Sequence, residues 1–204
     1  MDRTHPPHGR VAALVLAAGA GRRLGGRPKA LLRHHGRPLV EHAVAAARDG
    51  GCTPTVHVVL GARADEVREA ADLSGCVVVE NPGWEEGMGS SLRRGLAALG
   101  GTSAEAALVL LVDQPGIGAR AVSRVRGAYH SPETLAAASY GGRRGHPVLL
   151  GARHWAGVAA CAGGDRGARG YLQQHAARIR LVECGDVAVP ADIDTPEDLS
   201  RLAP

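Results

Sequence analysis

Residues 11–32 read VAALVLAAGAGRRLGGRPKALL, an unbroken apolar run that leads into a glycine-rich, basic loop. The run at 11–17 contains no polar residue, so a strand formed by it would be apolar on both faces. This is typical of a strand buried on both faces of a parallel sheet. The glycines that follow let backbone N–H groups approach an anion closely. This stretch therefore predicts an α/β fold with an anion-binding loop after its first strand.

Helix and strand patterns alternate along the chain as far as residue 112. The sequence predicts helices at 38–48, 64–73 and 90–99, strands at 55–60, 76–79 and 106–112, and a loop at 81–89. This alternation predicts a Rossmann-like three-layer α/β/α sandwich, with a mostly parallel sheet covered by helices on both faces. Ligands bind at the carboxyl ends of the strands in such sheets, so the glycine-rich loop and Asp113 are expected on one rim.

The second half of the chain is less regular. It predicts a turn at 141–145, a strand at 147–150, a glycine-rich turn at 163–170, a helix near 171–176, a strand at 179–183 and a final helix at 195–202. Thr195, Pro196 and Glu197 fit the N-cap, N1 and N2 positions of that last helix. No repeat or linker divides the chain.

Three kinds of glycine-rich loop compete for residues 16–29. A P-loop ends in GK[ST], whereas Gly26 is followed by Arg27. A dinucleotide fingerprint has the pattern GxGxxG and opens directly into a helix, whereas here Leu24 occupies the position of the third glycine. Such a fold also has an acidic residue at the end of its second strand, and this sequence has none there. A connection without a ligand stays open. Lys29 is the single lysine among 24 basic residues, which favours a phosphate site that requires a compact ammonium. We expect this loop to hold a triphosphate.

Several blocks of the sequence resemble one family. LAAG at 16–19, with Gly21, Arg22 or Arg23, Gly25 and Lys29, is similar to the LAAGxGxRxGxxK signature of the MobA/MocA-like nucleotidyltransferases, which include the molybdopterin cytidylyl- and guanylyltransferases. Further matching blocks are NPGWEEGMGSSL at 81–92, DQP at 113–115, GHPV at 145–148, GDRGAR at 164–169 and DIDTPEDL at 192–199. The later blocks look most like the molybdenum cofactor cytidylyltransferase branch.

The resemblance implies a nucleotide-diphospho-sugar-transferase-like fold and an activity. It implies that a Mg²⁺-dependent enzyme transfers CMP from CTP to the phosphate of molybdopterin and releases pyrophosphate. We expect residues 1–10 to form a flexible tail and residues 11–204 a single NTP-transferase domain. Its nucleotide-binding half would be 11–115 and its acceptor-binding half 116–204.

The resemblance also assigns site residues. It implies catalytic roles for Lys29, Asp113 and Arg22, and a Mg²⁺ ion held by Asp113 and Asp194, or by Asp192 if the register differs by two. A helix-capping role for Asp194 stays open, because Asp-x-Thr-Pro-Glu is also an ordinary helix start. The implied nucleotide-binding residues are Leu16, Ala17, Ala18, Gly19, Gly21, Arg23, Lys29, Gly87 and Ser91. Ser90 or Ser91 is also expected to cap the helix that follows.

The acceptor and the base are less closely defined. His146 and the loop at 163–170 match the acceptor side of the family, and Arg169 could pair with a phosphate there. A plain glycine turn before a helix would also explain that loop. Ala18 favours CTP, because guanylyltransferases of the family tend to carry glycine at that position, although GTP stays open as the donor. A sugar or polyol phosphate acceptor, an NAD(P)-linked oxidoreductase and a nucleotide-binding protein without turnover also stay open. A molybdenum hydroxylase apoenzyme is a possible partner.

Composition excludes several classes of function. The net charge of +4 is modest and aromatic residues make up 2% of the chain, so we expect no nucleic-acid partner. The four cysteines show no CxxC spacing, which favours free thiols in a reducing compartment. No signal peptide or membrane span is predicted, so a cytoplasmic protein is expected.

Overall fold

A seven-stranded sheet forms the centre of the computed structural model, which describes residues 11–203. Its strands are β1 (Val11–Leu16), β4 (Val56–Leu60), β5 (Cys76–Glu80), β6 (Ala106–Leu111), β7 (Leu135–Tyr140), β8 (Arg143–Gly151) and β9 (Ile179–Glu183). The strand order is β5-β4-β1-β6-β8-β7-β9. Only β8 is antiparallel to its neighbours, so the predicted mostly parallel sheet is confirmed. A separate two-stranded ribbon pairs β2 (Arg33–His34) with β3 (Arg37–Pro38).

In the described residues, 11–203, six α-helices cover the two faces of the sheet. They are α1 (Leu39–Asp49), α2 (Ala64–Ala70), α3 (Met88–Leu99), α4 (Ala119–Arg126), α5 (Trp155–Cys161) and α6 (Arg169–Gln174). Apolar side chains of α1, α2 and α4 pack with Ala13 and Val15 of β1. Those of α3, α5 and α6 pack with Leu14 and Leu16. Alternate residues of one apolar strand thus face opposite helix layers, which confirms the predicted three-layer sandwich.

Close packing brings α3 onto the central strand. A Cβ atom on Gly95 would lie 2.4 Å from Cδ1 of Leu14, so only glycine permits this separation. Leu92, Leu96 and Leu99 bury the apolar face of α3 against the same side of the sheet. The beginning of α3 is thereby fixed at the carboxyl rim of the sheet.

The helices and strands predicted in the first half agree with the structure to within three residues at their ends, but the ribbon of β2 and β3 was not predicted. Helix α3 begins at Met88, two residues before the prediction, and α2 ends at Ala70 rather than at residue 73. The N-cap of α3 is Gly87, so the prediction that Ser90 or Ser91 caps this helix is wrong. The hydroxyl of Ser90 instead lies 2.9 Å from the carbonyl oxygens of Gly83 and Gly87, and its single proton is donated to one or the other.

The second half differs more from the predictions. The turn predicted at 141–145 is shorter, because β8 already begins at Arg143. The last element is a 3-10 helix, Pro196–Arg201, with Thr195 as N-cap and Pro196 at N1, as expected. Helices α4 and α5 and strand β7 were not predicted. The tail predicted at 1–10 lies outside the described residues. Within residues 11–203, no helix combines the length and apolar character needed to cross a bilayer.

Candidate active site

The loop after β1 folds back on itself at the carboxyl rim of the sheet. The N–H groups of Leu24 and Gly26 donate to the carbonyl oxygen of Gly21 at 2.8 and 3.1 Å. Gly21 has φ +59°, and a Cβ there would lie 2.0 Å from the carbonyl oxygen of Arg27. Two 3-10 turns follow, and the first α-helix begins only at Leu39. The loop therefore lacks the strand-to-helix geometry by which a dinucleotide fold binds pyrophosphate.

Lys29 joins two carboxylates at this rim. Its Nζ lies 2.6 Å from Oδ2 of Asp113 and also contacts Oδ1 of Asp194. The side chains of Lys29 and Asp113 are 16% and 19% exposed, and that of Asp194 is 45% exposed. Burial alone would lower the pKa of Lys29, but the two carboxylates outweigh it and raise the pKa. Lys29 is thus a fixed cation inside the site at neutral pH.

Backbone contacts bring Asp194 to this position. The N–H of Ile193 donates to the carbonyl oxygen of Asp113 at 2.9 Å, and the Ile193 side chain is fully buried. Oδ2 of Asp198 accepts the N–H groups of Asp194 and Thr195 at 3.0 and 2.9 Å. Because Thr195 and Asp198 form the cap, the Asp194 carboxylate is not used as a helix cap and is available to Lys29.

Asp192 occupies a different environment from Asp194. Its Oδ1 accepts a hydrogen bond of 2.7 Å from Nε2 of Gln114. Burial raises the pKa of Asp192, and this hydrogen bond opposes the shift. The structure therefore places Asp194, rather than Asp192, beside Asp113 and Lys29.

The carboxylates of Asp113 and Asp194 have the donor chemistry that a hard divalent cation requires. Mg²⁺ prefers oxygen ligands and keeps several waters, so two carboxylates are a sufficient protein contribution when substrate phosphates supply the rest. Within residues 11–203, no group of three or more His, Cys, Asp or Glu side chains forms a complete metal cage. The two carboxylates therefore suit a cation that nucleotide phosphates also coordinate better than a structural ion held by the protein alone.

A cavity of about 360 Å³ opens beside Lys29 and Asp113. Of the residues expected to bind nucleotide or act on it, those in its wall are Leu16, Ala18, Gly19, Arg22, Lys29, Gly87, Ser91 and Asp113. Ala17 is outside this wall and packs into the core on the opposite face of the sheet. Gly21 is also outside the wall, and its positive φ sets the shape of the loop. Arg23 and Asp194 also lie outside the wall. Arg22 is the arginine that reaches this cavity, and its guanidinium carbon is 5.8 Å from the centre of the Trp84 ring.

Asn81 holds the wall that carries Ser91 and Gly87. Its buried side chain donates to Oγ of Ser90 at 2.8 Å and to Oγ of Ser91 at 3.0 Å, and it accepts the N–H of Gly83 at 3.1 Å. Gly87 has φ +98°, and a Cβ there would lie 2.5 Å from the backbone of Gly164. The beginning of α3 therefore packs directly on the glycine-rich turn near residue 164.

A larger cavity of about 600 Å³ adjoins the first. Leu16, Met88, Leu111 and Asp165 line both. The polar side chains in its wall are Gln114, Tyr140, Arg143, Arg144, His146, Asp165, Arg166, Arg169 and Asp192. None of the four arginines has an ion-pair partner among the described residues. This cavity has the charge expected for an anionic small molecule.

His146 lies in the wall of the larger cavity as a neutral side chain. Burial, together with the charges of Arg144 and Arg169, lowers the pKa of His146 to about 4. His146 and the loop at 163–170, which the resemblance assigned to the acceptor side, thus line the same cavity. Trp84, Gln114 and Asp165 lie in the matching sequence blocks but were given no role of their own. Tyr140 had no sequence signal, since its strand, β7, was not predicted.

Comparison with known proteins agrees with this geometry. Residues 13–179 match the MobA-like NTP transferase domain. The chain belongs to the MobA-like NTP transferase family. It is 31% identical to the molybdenum cofactor guanylyltransferase of Rhodobacter capsulatus, over 94% of each chain. It is 41% identical to the nicotine blue oxidoreductase of Paenarthrobacter nicotinovorans, over 94% of this chain and 96% of that one.

Solved structures share the fold, among them one described as a nucleotidyl transferase. A nucleotidyl transferase from Methanothermobacter thermautotrophicus superposes with a TM-score of 0.79 at 26% identity, covering 94% of this chain and 95% of the other. The manganese complex of Rv0371c from Mycobacterium tuberculosis gives a TM-score of 0.75 at 28% identity, with coverage of 95% and 97%. The chain is a nucleotidyltransferase of the MobA-like type.

Proposed function

We propose that this MobA-like transferase moves CMP from CTP to the terminal phosphate of molybdopterin in the presence of Mg²⁺, and that pyrophosphate leaves. The observation that carries the proposal is the contact of Lys29 with both Asp113 and Asp194 beside the smaller of two adjoining cavities. The smaller cavity, beside the glycine-rich loop, suits the nucleotide. The larger cavity, with its four arginines, suits the phosphorylated acceptor.

The reaction joins an acceptor phosphate oxygen to the α-phosphorus of CTP. The new P–O bond forms opposite the bond to the β-phosphate, which breaks with its electron pair and releases pyrophosphate. A phosphate monoester is already largely ionised at pH 7, so the acceptor requires no general base. A divalent cation held by Asp113 and Asp194 would supply charge neutralisation at the phosphates.

The residues of this chain position the reactants and offset charge. Lys29 and Arg22 lie in the nucleotide cavity, where their charges stabilise the additional negative charge that develops on the triphosphate. Gly19 lets the loop backbone approach the phosphates. Arg144 and Arg169 would hold the acceptor phosphate, and neutral His146 adds a hydrogen-bonding group without further charge.

The choice of acceptor and base rests on relatives and on one side chain. The guanylyltransferase relative supports a molybdenum cofactor as acceptor. Ala18 lies in the wall of the nucleotide cavity and favours CTP over GTP, as in the cytidylyltransferase branch. A molybdenum hydroxylase apoenzyme would then receive the product.

A second candidate function comes from the name of the nicotine blue oxidoreductase relative. A redox activity of this chain would require an electron donor such as a nicotinamide nucleotide. The loop after β1 does not open into a helix, and the second long strand ends at Leu60 and is followed by Gly61, so no acidic residue lies at its end. These features favour nucleotidyl transfer over dinucleotide-dependent reduction.

One experiment separates the two candidates. Purified protein is incubated with molybdopterin, Mg²⁺ and each of the four NTPs, and pyrophosphate is measured; a parallel assay follows NADH and NADPH oxidation with nicotine blue. We expect pyrophosphate with CTP above the other nucleotides, and no loss of NAD(P)H. Dye-dependent NAD(P)H oxidation without pyrophosphate would establish the second function, and pyrophosphate with GTP alone would correct the base.

A further inference from the structure

Lys29 and a divalent cation compete for the same carboxylate oxygens. The ammonium group contacts Oδ2 of Asp113 at 2.6 Å and Oδ1 of Asp194, one oxygen from each. The Lys29 and Asp113 side chains are 16% and 19% exposed, so their charges are only partly screened by water. A cation that used both carboxylates would lie beside the ammonium, where two positive charges repel strongly.

The nucleotide cavity offers Lys29 another place. Lys29 lies in the wall of that cavity together with Gly19, Ala20 and Arg22. A triphosphate bound there would offer several charged oxygens to the flexible lysine side chain, and its four-carbon stem can turn toward them. A bound nucleotide would thus draw the ammonium away from the carboxylates.

We propose that Lys29 is an internal counter-ion that keeps divalent cations off Asp113 and Asp194 until a nucleoside triphosphate binds. This inference rests on the cation use in the proposed function and concerns the regulation of the same site. Under this proposal, binding of the cation to Asp113 and Asp194 depends on binding of the nucleotide. The protein would then not hold an unproductive cation in the absence of substrate.

The test measures Mn²⁺ binding by the electron paramagnetic resonance of the free ion, with full-length protein and no acceptor. We expect wild-type protein to bind Mn²⁺ weakly alone and much more tightly with the analogue α,β-methylene CTP. Lys29→Met keeps an apolar stem and removes the charge. It should bind Mn²⁺ about tenfold or more tightly than wild type in the absence of nucleotide.

Arg33→Met is the matched control. Arg33 is exposed and lies four residues from Lys29, and its replacement removes the same unit of charge from the surface. It should leave Mn²⁺ affinity within about twofold of wild type, because exposed charges are screened. Thermal unfolding of each variant verifies folding, and Lys29→Gln replaces Lys29→Met if the latter unfolds.

Two results would overturn the inference. The first is that neither folded Lys29 variant gains Mn²⁺ affinity over wild type. The second is that the gain appears equally in Arg33→Met. Failure of the proposed function is a separate result, because absence of pyrophosphate with molybdopterin leaves these nucleotide-free binding measurements unchanged.

Discussion

Replacement of Gly21 by alanine tests whether the shape of the loop between β1 and Lys29 controls nucleotide binding. Gly21 has φ +59°, and a Cβ there would lie 2.0 Å from the carbonyl oxygen of Arg27. Gly25 is a matched control, because its φ is +71° and a Cβ there meets nothing within 4 Å. Both substitutions place alanine in the left-handed region, but only Gly21→Ala adds a collision.

The expected magnitudes follow from that difference. A left-handed conformation costs a non-glycine residue about 1–2 kcal/mol, so Gly25→Ala should lower the free energy of unfolding by that amount. The contact at Gly21 is well below the 3.4 Å at which ordinary van der Waals contact begins, so the backbone at Arg27 must move. This adds roughly 1–3 kcal/mol for Gly21→Ala. Because Lys29 is two residues from Arg27, we expect the Kd for CTP to rise about tenfold or more, which is 1.4 kcal/mol.

Urea unfolding gives the stability of both variants, and isothermal titration calorimetry gives their affinity for CTP. Gly25→Ala should bind CTP nearly as well as wild type. Equal losses of stability and of CTP affinity in the two variants would refute the reasoning, because the collision with Arg27 would then have no effect.

Three further predictions concern the carboxylates, the wall of the nucleotide cavity and the acceptor side. Asp113→Asn should lower the rate of pyrophosphate release about 100-fold or more in single-turnover assays. Calorimetry in EDTA should show that this variant largely retains CTP binding. A rate near that of wild type would show that Asp113 has no part in the mechanism. Asn81→Ala removes two buried hydrogen bonds and a third that is partly buried, and should lower the free energy of unfolding by about 3 kcal/mol in urea titrations, against about 1 kcal/mol for Ser91→Ala. In the folded protein the pKa of His146 falls from its ordinary value of 6.5 to about 4, so the fold favours the neutral imidazole. The contribution of neutral His146 to stability is therefore present above pH 6.5 and is lost as the pH falls toward 4. His146→Gln should therefore flatten the decline of the urea midpoint over that range, and an unchanged pH profile would contradict this.

The sequence predicted the parts of the fold that apolar patterning determines. Strands β1, β4 and β6 lie in the middle of the sheet with helices on both sides, so their residues are apolar except for the buried His57 of β4, and this pattern is easily recognised. Strand β7 is buried as well, but its sequence, LAAASY, is mostly alanine and suits either helix or strand. Helix α3 begins two residues early because the positive φ of Gly87 turns the chain there, a conformation that the sequence does not specify alone.

The candidate site was predictable where its residues are adjacent to strand ends. Asp113 comes directly after the strand that the sequence predicts at 106–112, and the lone Lys29 ends the first loop. Asp194 could be assigned only through resemblance to a family, because nothing local distinguishes it from Asp192 or from a helix cap. The difference between these two aspartates is made by Ile193, whose burial and backbone hydrogen bond turn one carboxylate toward Lys29 and the other toward Gln114.

The contact between Lys29 and Asp194 also has a consequence for synthesis of the protein. These residues are 165 positions apart, and the N–H of Ile193 binds the segment with Asp194 to the carbonyl oxygen of Asp113. At about 5–20 residues per second, the ribosome takes several seconds or more to deliver Asp194 after Lys29 has been made. A nascent chain could therefore shape its glycine-rich loop long before it carries the second carboxylate. Catalytic competence would arrive last, as one of the final events of folding.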